Sequence, residues 1–572
     1  MNDKTNDKTN GGWPRPLERA AFGALWAFLL APVIAHGLWR PLLHILGPSG
    51  KAGTVTFSAL AVSGTIVVVN ELLPRQAPLL SLVLGGLVAI AASVGWSLGL
   101  PGLLALLIVA AAIALLLPRL SARLPTTLDG LAKRHKILFA LYVVLALAAV
   151  VKTAQLSIFI GDPTRTDLQA LPGNTFTETH SCLTAYVRAA ELASQGVDNF
   201  YDDHFWHGSL GLPPLPPGGE NPYRPFHLDN FSYPPTFLLV MAPLAPFSGD
   251  FLAQRALWFG LSGLLLALGL WRVARFVDGP AAHRVLLLAP LFFGSVPLVL
   301  TLQIGNFHVA ATVISILALV AFDRGRLATG GSLLALTILG KVSPGILGVV
   351  LLVQRRIRSA AITAGFGVVL IALAILRFGK NPITSFLTYA LPRLSSGRAF
   401  PFMDTQSGIL TNLSPFGFPF KLQFLGFDMG DPWHLAPWIG RVYTLALILL
   451  ALVAARRPKD RRDQAVTWMA LLVLAAMQSP FAPGYVTIGL LWATTLLSVE
   501  VRSTAGGVGL ALVWVLILAV PPGLRPAIKV VQSMVQTIVI IGVSAWLIVR
   551  RPRNPEQFLP RTRCDPTERI SR

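Results

Sequence analysis

Long apolar runs alternate with short polar connections along most of the chain. Each run is close to the ~20 residues that a helix needs to cross the hydrocarbon core of a bilayer. Because backbone in lipid must satisfy its own hydrogen bonds, the pattern predicts an all-α polytopic membrane protein. The predicted transmembrane helices, about 14 in number, are 18–38, 54–73, 78–97, 101–118, 137–158, 252–271, 285–302, 307–322, 359–376, 436–455, 465–480, 485–499, 506–521 and 530–549.

Composition and charge agree with this fold class. Hydrophobic residues make up 54% of the 572, mean hydropathy is +0.64 and only 13% of residues are charged, which argues against a soluble globular protein. The net charge of +21 would suit a nucleic-acid binder, but Lys and Arg gather in the short connections, as the positive-inside rule describes. We therefore predict contact with membrane lipids and none with nucleic acid. Cys182 and Cys564 fall on opposite sides of the predicted membrane, so no disulfide is expected.

The basic connections also predict an orientation. Five Lys and Arg residues between positions 119 and 136 precede the fifth predicted helix and should be cytoplasmic. Both termini then lie in the cytoplasm, and two large loops, 159–233 and 379–435, lie outside. Later basic clusters, at 272–284, 456–462 and from 550 onward, agree with that orientation.

One apolar run does not fit a simple alternation of sides. Residues 329–353 lie between two basic clusters that both belong in the cytoplasm, and a single crossing would invert every later loop. The run is interrupted at Gly340-Lys341-Val342-Ser343-Pro344, where proline disfavours helix at the preceding residue. We predict a re-entrant segment that enters and leaves on the cytoplasmic side. Irregular backbone at that depth implies a cavity.

The chain divides into five predicted regions. The first helix, 18–38, is longer than a signal-peptide core and is read as uncleaved. The regions are a disordered N-terminus at 1–16, an accessory four-helix transmembrane module at 17–135, a catalytic membrane core at 136–500, C-terminal transmembrane helices at 501–549, and a basic cytoplasmic tail at 550–572.

The loop 159–233 concentrates the polar chemistry of the chain. Its many acidic residues and histidines contrast with the low charge elsewhere, which predicts an active site at a membrane surface. Asp202-Asp203-His204 with His207 has the residue types of a metal site, but spacing offers no fourth ligand, so no metal is predicted. No phosphate-cradling Walker motif is present, which disfavours ATP-driven transport.

Several short motifs occur in an order that suggests a family. They are Tyr186-Val-Arg-Ala-Ala190, Gly196-Val-Asp-Asn-Phe-Tyr201, Phe231-Ser-Tyr-Pro-Pro235, Gln303-Ile-Gly-Asn306, the Gly340–Pro344 break and Asp404-Thr-Gln-Ser407. Over roughly residues 137–500 this pattern resembles glycosyltransferase family 87, the polyprenyl-phosphate-sugar-dependent transferases of the GT-C superfamily.

The resemblance implies a GT-C-like fold and inverting sugar transfer in a bacterial inner membrane. A polyprenyl-phosphate donor would give mannose, another hexose or arabinose to an extracytoplasmic glycolipid or glycan acceptor. A loop carboxylate would deprotonate the acceptor hydroxyl as a general base. The resemblance implies no cofactor and does not require a metal.

The expected catalytic carboxylate is missing from its place in the pattern. The family has Asp four residues before the tyrosine at position 186, and this chain has Cys182 there. The nearest carboxylate is Glu178, one helical turn earlier and on the same face if that segment is helical, so Glu178 is the first candidate for the base. His180, Asp162 and Asp167 are the alternatives, and a solvated loop charge would explain each of them equally well.

Donor and substrate binding fall to a second group of residues. Lys341 is costly inside a membrane and is the candidate for the donor phosphate. The other candidates are Tyr186, Tyr233, Gln303, Asn306, Arg393, Arg398, Asp404 and Gln406. Helix capping, surface charge and the interfacial aromatic belt are the alternatives for these.

Two other classes of function stay open. A transporter or lipid flippase would place ionisable groups at the bilayer midplane and often shows repeated halves, whereas here most polar groups lie in two loops. A non-catalytic scaffold on a degenerate transferase fold would explain Cys182.

Overall fold

The computed structural model describes residues 16–46, 136–278, 285–497, 513 and 525–550, apart from positions 173, 218, 287–288, 290–291 and 457–459. Throughout these ranges the regular structure is helical and no strand occurs, which confirms the predicted all-α class. The predicted helices 54–73, 78–97, 101–118 and 506–521, most of the tail 550–572, and Cys564 lie outside the described residues.

Eighteen α-helices are named in chain order. They are α1 (Pro16–Leu46), α2 (Lys136–Gly161), α3 (Thr175–Thr179), α4 (Cys182–Ser194), α5 (Phe251–Val277), α6 (Val296–Ile304), α7 (His308–Asp323), α8 (Leu327–Lys341), α9 (Gly345–Val353), α10 (Ile357–Phe378), α11 (Asn381–Ser385), α12 (Leu391–Ser396), α13 (Gln406–Thr411), α14 (Phe418–Phe424), α15 (Pro432–Arg456), α16 (Arg461–Ala476), α17 (Ile488–Leu497) and α18 (Pro526–Val549).

Shorter helical turns join these helices. A π-helical turn, Phe386–Ala390, links α11 to α12. The 3₁₀ segments are Thr166–Leu168, Asp203–Trp206, Pro235–Phe247, Pro415–Gly417 and Gly484–Thr487. Both predicted loops therefore contain helical structure of their own.

Four of the described helices are long and apolar enough to cross a membrane: α5, α10, α15 and α18. The most apolar part of α5 is 67% buried inside the protein, whereas the corresponding parts of the other three are 17%, 22% and 33% buried. Apolar helices that are left uncovered by protein need a lipid environment. The predicted membrane class therefore has direct support, and the predicted number of about 14 spans stays a prediction.

The Gln303–Asn306 motif forms a sharp turn between α6 and α7. The two helices meet at 108°, with Gly305 in the left-handed region at φ 70° ending α6. Within the predicted span 285–302, the described positions 285, 286, 289, 292 and 293 are helical, and α6 begins at Val296 and points away from the direction of α7. The turn presents Asn306 to the interior.

The broken segment around Lys341 is a helical hairpin. α8 is antiparallel to α7, since Gly330 packs on Phe322 and Gly340 on Phe307. It is parallel to α10, since Gly331 packs on Ile362. At 15 and 9 residues, α8 and α9 measure only about 22 and 13 Å, so neither spans a ~30 Å core alone.

The hairpin returns to the level at which it started. After α9, the guanidinium of Arg356 donates to the carbonyl oxygen of Phe322 at 3.5 Å. This places the exit of the hairpin beside its entrance, which is the re-entrant geometry that the sequence predicts. Which side of the membrane this is stays a prediction.

A topology experiment checks the hairpin. Reporters fused after Arg326 and after Arg356 should report the same side of the membrane, because α9 reverses the direction of α8. A reporter fused after Gly379, beyond α10, should report the opposite side. Opposite readings for the first two fusions would show that the segment crosses the membrane once.

Candidate active site

The start of α4 fixes the exit of the first loop. The hydroxyl oxygen of Thr184, in the first turn, accepts from the amide of Asp229 at 3.0 Å and lies 3.1 Å from the carbonyl oxygen of His227. The amide of His227 also donates to the carbonyl of Thr179 at 2.8 Å. These bonds bring the segment before Phe231 against the residues that precede α4.

Lys341, at the tip of the hairpin, meets this loop at the α6–α7 turn. Its ammonium donates to the side-chain oxygen of Asn306 at 3.2 Å and to the hydroxyl of Tyr233 at 3.5 Å. It also lies 5.4 and 5.1 Å from the ring centroids of Tyr233 and Tyr485. Within the described part of the chain, no carboxylate lies at ion-pair distance from it. Its positive charge is met by neutral dipoles and ring faces alone.

A carboxylate lies on the other side of Asn306. The Asn306 amide donates to the sulfur of Cys182 at 3.4 Å, and that sulfur lies 3.6 Å from Nε2 of His180. Nε2 in turn is 3.8 Å from a carboxylate oxygen of Asp229. Asp229 and His180 are 24% and 19% exposed, so a ligand can approach both.

Burial sets the protonation state of His180 and Cys182. It lowers the pKa of His180, an effect that Asp229 opposes and His227 reinforces. It also raises the pKa of the Cys182 thiol, and the nearby charge of Asp229 adds to that shift. His180 and Cys182 are therefore neutral at pH 7.

The same three side chains are the described residues best arranged to hold a metal ion. One ligand atom each from His180, Cys182 and Asp229 lies within 4.8 Å of the others. The residues Asp202, Asp203 and His204, which have the residue types of a metal site, make other contacts. Asp202 pairs with His204 at 2.7 Å, and Asp203 pairs with Arg393. None of the chemistry below requires a metal.

Comparison with known protein families gives one match. The model of glycosyltransferase family 87 matches residues 231–482. Over these residues the chain is similar to glycosyltransferase family 87. The match confirms the predicted resemblance and indicates a glycosyltransferase. The described helices include four that are of membrane type. No curated protein and no solved structure matches the chain.

The family 87 segment starts at the motif that leads out of the first loop. It includes Tyr233, Asn306 and Lys341, and it ends just before Tyr485. Glu178, His180 and Cys182 lie upstream of it. The pocket is thus built partly from the family segment and partly from the loop that precedes it.

Glu178 does not share a helical face with Cys182. α3 ends at Thr179 and α4 begins at Cys182, with His180 and Ser181 extended between them. The sequence favoured Glu178 on the condition that residues 178–182 form one helix, and that condition is wrong. Its carboxylate accepts from the amide of Gln169 at 2.9 Å instead.

Gln303, a sequence candidate for sugar binding, ties the first loop to α6. Its side-chain oxygen accepts from the amide of Ala170 at 2.6 Å, and its amide group donates to the carbonyl of Thr177 at 2.7 Å. Only 1% of the residue is exposed. Both polar groups of the side chain therefore bond to the backbone of the first loop.

Tyr186 is also buried, and its hydroxyl is engaged in hydrogen bonds within the protein. It is 1% exposed, its hydroxyl donates to that of Tyr233 at 2.9 Å, and the amide of Phe307 donates to it at 3.3 Å. Tyr186 therefore orients Tyr233, which is the more accessible of the pair.

The remaining candidates lie outside this contact network. Asp162 accepts from Thr164, and Asp167 is 63% exposed and paired with Arg165, which lowers its pKa. The guanidinium of Arg393 makes two bonds, 2.9 and 2.8 Å, to the carboxylate of Asp203. Arg398, Asp404 and Gln406 are exposed.

Sequence reasoning did not single out Asp229. The available signal was its place two residues before Phe231, which opens the exit motif. It was one of many acidic residues in the loop. Only the bonds from Thr184 and Thr179 bring it to Cys182.

The role of Gln303 can be tested by removing its side chain. Gln303→Ala should lower the free energy of unfolding by about 2–4 kcal/mol, because two buried backbone groups lose their partners. Thermal unfolding in detergent measures this, with the exposed Gln406→Ala as the control that stays within about 0.5 kcal/mol of wild type. An unchanged Tm together with a raised KM for the sugar donor would instead make Gln303 a substrate ligand.

Proposed function

We propose that this protein is a GT-C-type glycosyltransferase of the bacterial inner membrane. It transfers mannose, another hexose or arabinose from a polyprenyl phosphate to a glycolipid or glycan acceptor outside the cytoplasm. The reaction inverts the anomeric centre: an acceptor oxygen forms a bond to the anomeric carbon, the bond to the phosphate oxygen breaks, and a carboxylate takes the hydroxyl proton. Two loop segments and the hairpin tip supply the site.

The observation that carries this proposal is the unpaired ammonium of Lys341 facing a carboxylate across Asn306. A partly buried cation held only by dipoles retains most of its attraction for an anion, since no charge of the described residues neutralises it. A lipid phosphate supplies such an anion and brings its own membrane anchor. As the bond to the sugar breaks, negative charge on the phosphate grows, and the ammonium stabilises it.

Asp229 is the base that the geometry favours. It faces the pocket of Lys341 through Cys182 and Asn306, whereas Glu178 is bound by Gln169. It also occupies the neighbourhood of Cys182, the position at which the family pattern has Asp. The neutral ring of His180, 3.8 Å away, is placed to orient the carboxylate. This assignment replaces Glu178 as the first candidate.

Neutralising Lys341 tests the phosphate contact. Lys341→Met should lower kcat/KM for the donor by about 10²–10³, the loss typical of removing one preorganised electrostatic contact. Turnover is measured with purified protein in lipid and a labelled panel of polyprenyl-phosphate hexoses and polyprenyl-phosphate arabinose. Arg398→Met removes an exposed charge in the same region and should change turnover by less than about twofold. Equal loss in both variants would point to a general charge effect.

Neutralising the carboxylates one at a time tests the base. Asp229→Asn should reduce kcat by about 10²–10⁴, the usual contribution of a general base, while Glu178→Gln and Asp167→Asn retain activity. The reverse result, with Glu178→Gln inactive and Asp229→Asn active, would overturn the assignment and leave the class of enzyme intact.

A double variant separates a lost base from a damaged fold. Cys182→Asp combined with Asp229→Asn moves the carboxylate to the position used by the family, within 4.8 Å of its place in this chain. Part of the activity lost in Asp229→Asn should return. A structural role for Asp229 predicts no recovery.

A further inference from the structure

A cavity lies in the first loop, outside the contacts of Lys341. Its volume is about 360 Å³, at the small end of the ~300–1,000 Å³ range of small-molecule sites. This is room for a single small molecule rather than a lipid chain. Every residue that lines it belongs to the segment between 207 and 228.

The walls of the cavity are fixed by bonds within the loop. The amide of Gly208 donates to the carbonyl of Pro213 at 2.7 Å, which closes one wall. Asn221, on another wall, has both ends of its side chain engaged with the backbone of Tyr223 and Phe226. The cavity therefore exists without a ligand to shape it.

Its lining combines apolar walls with a few neutral polar groups. Leu212, Leu215 and Leu228 supply apolar surface, and the rings of His207 and His227 also line it. The lining residues, all of them described, include no carboxylate, ammonium or guanidinium group. Such a lining suits a neutral ligand that has both apolar faces and hydroxyl groups.

Ser209 provides an independent sign of a missing partner. It lines the cavity, only 4% of the residue is exposed, and its hydroxyl oxygen has no hydrogen-bond partner in the structure. A buried hydroxyl without a partner costs free energy, so it is uncommon unless a ligand or water satisfies it.

The cavity adjoins the candidate base. His227 and Leu228 line it, and Asp229 is the next residue, clamped with His227 to Thr184. The ring of His227 is also close enough to His180 to influence its ionisation. A ligand in the cavity therefore lies close in sequence to Asp229, and Lys341 does not contact the cavity.

We propose that this cavity binds one neutral hexose ring of the acceptor, next to the segment that carries Asp229. The inference rests on the proposed function, because it assigns the acceptor side of the same reaction. Hydroxyl groups of the ring pair with Ser209, His207 and His227, and its C–H faces lie on the leucines. The donor phosphate stays at Lys341, so the two substrates approach from different elements.

Sugar binding can be measured without turnover. Methyl hexosides of mannose, glucose and galactose are titrated into wild-type protein in lipid nanodiscs and followed by saturation-transfer NMR. At least one should bind saturably, and Ser209→Ala and His227→Ala should each weaken it about fivefold or more, as expected for the loss of one hydrogen bond. Ser194→Ala, which removes an exposed hydroxyl on α4 in the same loop, should leave binding unchanged.

Thermal unfolding separates ligand contact from structural support. Because the Ser209 hydroxyl has no partner, Ser209→Ala should leave Tm unchanged or raise it. A lowered Tm in both variants, or equal binding in all variants, overturns the subsite, as does an absence of binding to wild type. Donor turnover with binding unaffected by these changes would reject the subsite and keep the transferase. Weakened binding without any turnover would keep a sugar-binding cavity but reject the transferase, and with it the role of the cavity as an acceptor subsite.

Discussion

The site depends on one uncompensated positive charge. Lys341 sits at the tip of the α8–α9 hairpin, where its ammonium is held by the Asn306 oxygen, the Tyr233 hydroxyl and the faces of Tyr233 and Tyr485. Each contact orients the ammonium without neutralising it. Three separate features of the chain are needed for this: the break in the hairpin, the turn between α6 and α7, and the exit of the first loop. A carboxylate partner at the same place would stabilise the resting protein and remove its reason to bind an anion.

The hairpin tip is strained, and the surrounding packing holds it. Val342 adopts φ 52°, a conformation that a β-branched residue rarely takes and that costs about 1–3 kcal/mol. Two contacts just before it secure the end of α8: Gly340 packs on Phe307, and the hydroxyl of Thr236 donates to the carbonyl of Leu339 at 2.6 Å. The strained turn fixes the point at which α8 stops. Since Lys341 is the last residue of α8, it also fixes where the charge is presented.

Hydropathy and helix-breaking residues predicted some elements of the described fold but not their directions. The run 252–271 and the break at Pro344 are local properties, and they appear as α5 and the hairpin. The 108° turn between α6 and α7 cannot be predicted in this way, because the apolarity of the two helices says nothing about the angle at Gly305. The choice of Glu178 as base assumes one continuous helix through Cys182, but the helix that carries Glu178 ends before His180. Asp229 is marked in the sequence only by its place two residues before Phe231, since its approach to Cys182 depends on a bond to Thr184, 45 residues earlier.

The pairing of Cys182 with Asp229 has an electrostatic reason. Their ligand atoms lie within 4.8 Å, so Asp at both positions would place two carboxylates in one half-buried pocket. Like charges at that separation raise the pKa of one member, and the pair would hold a proton that a base must lack. A neutral thiol at position 182 avoids this repulsion while still accepting a hydrogen bond from Asn306. A single carboxylate, separated from the ammonium of Lys341 by Cys182 and Asn306, therefore avoids this repulsion, whichever segment of the chain supplies it.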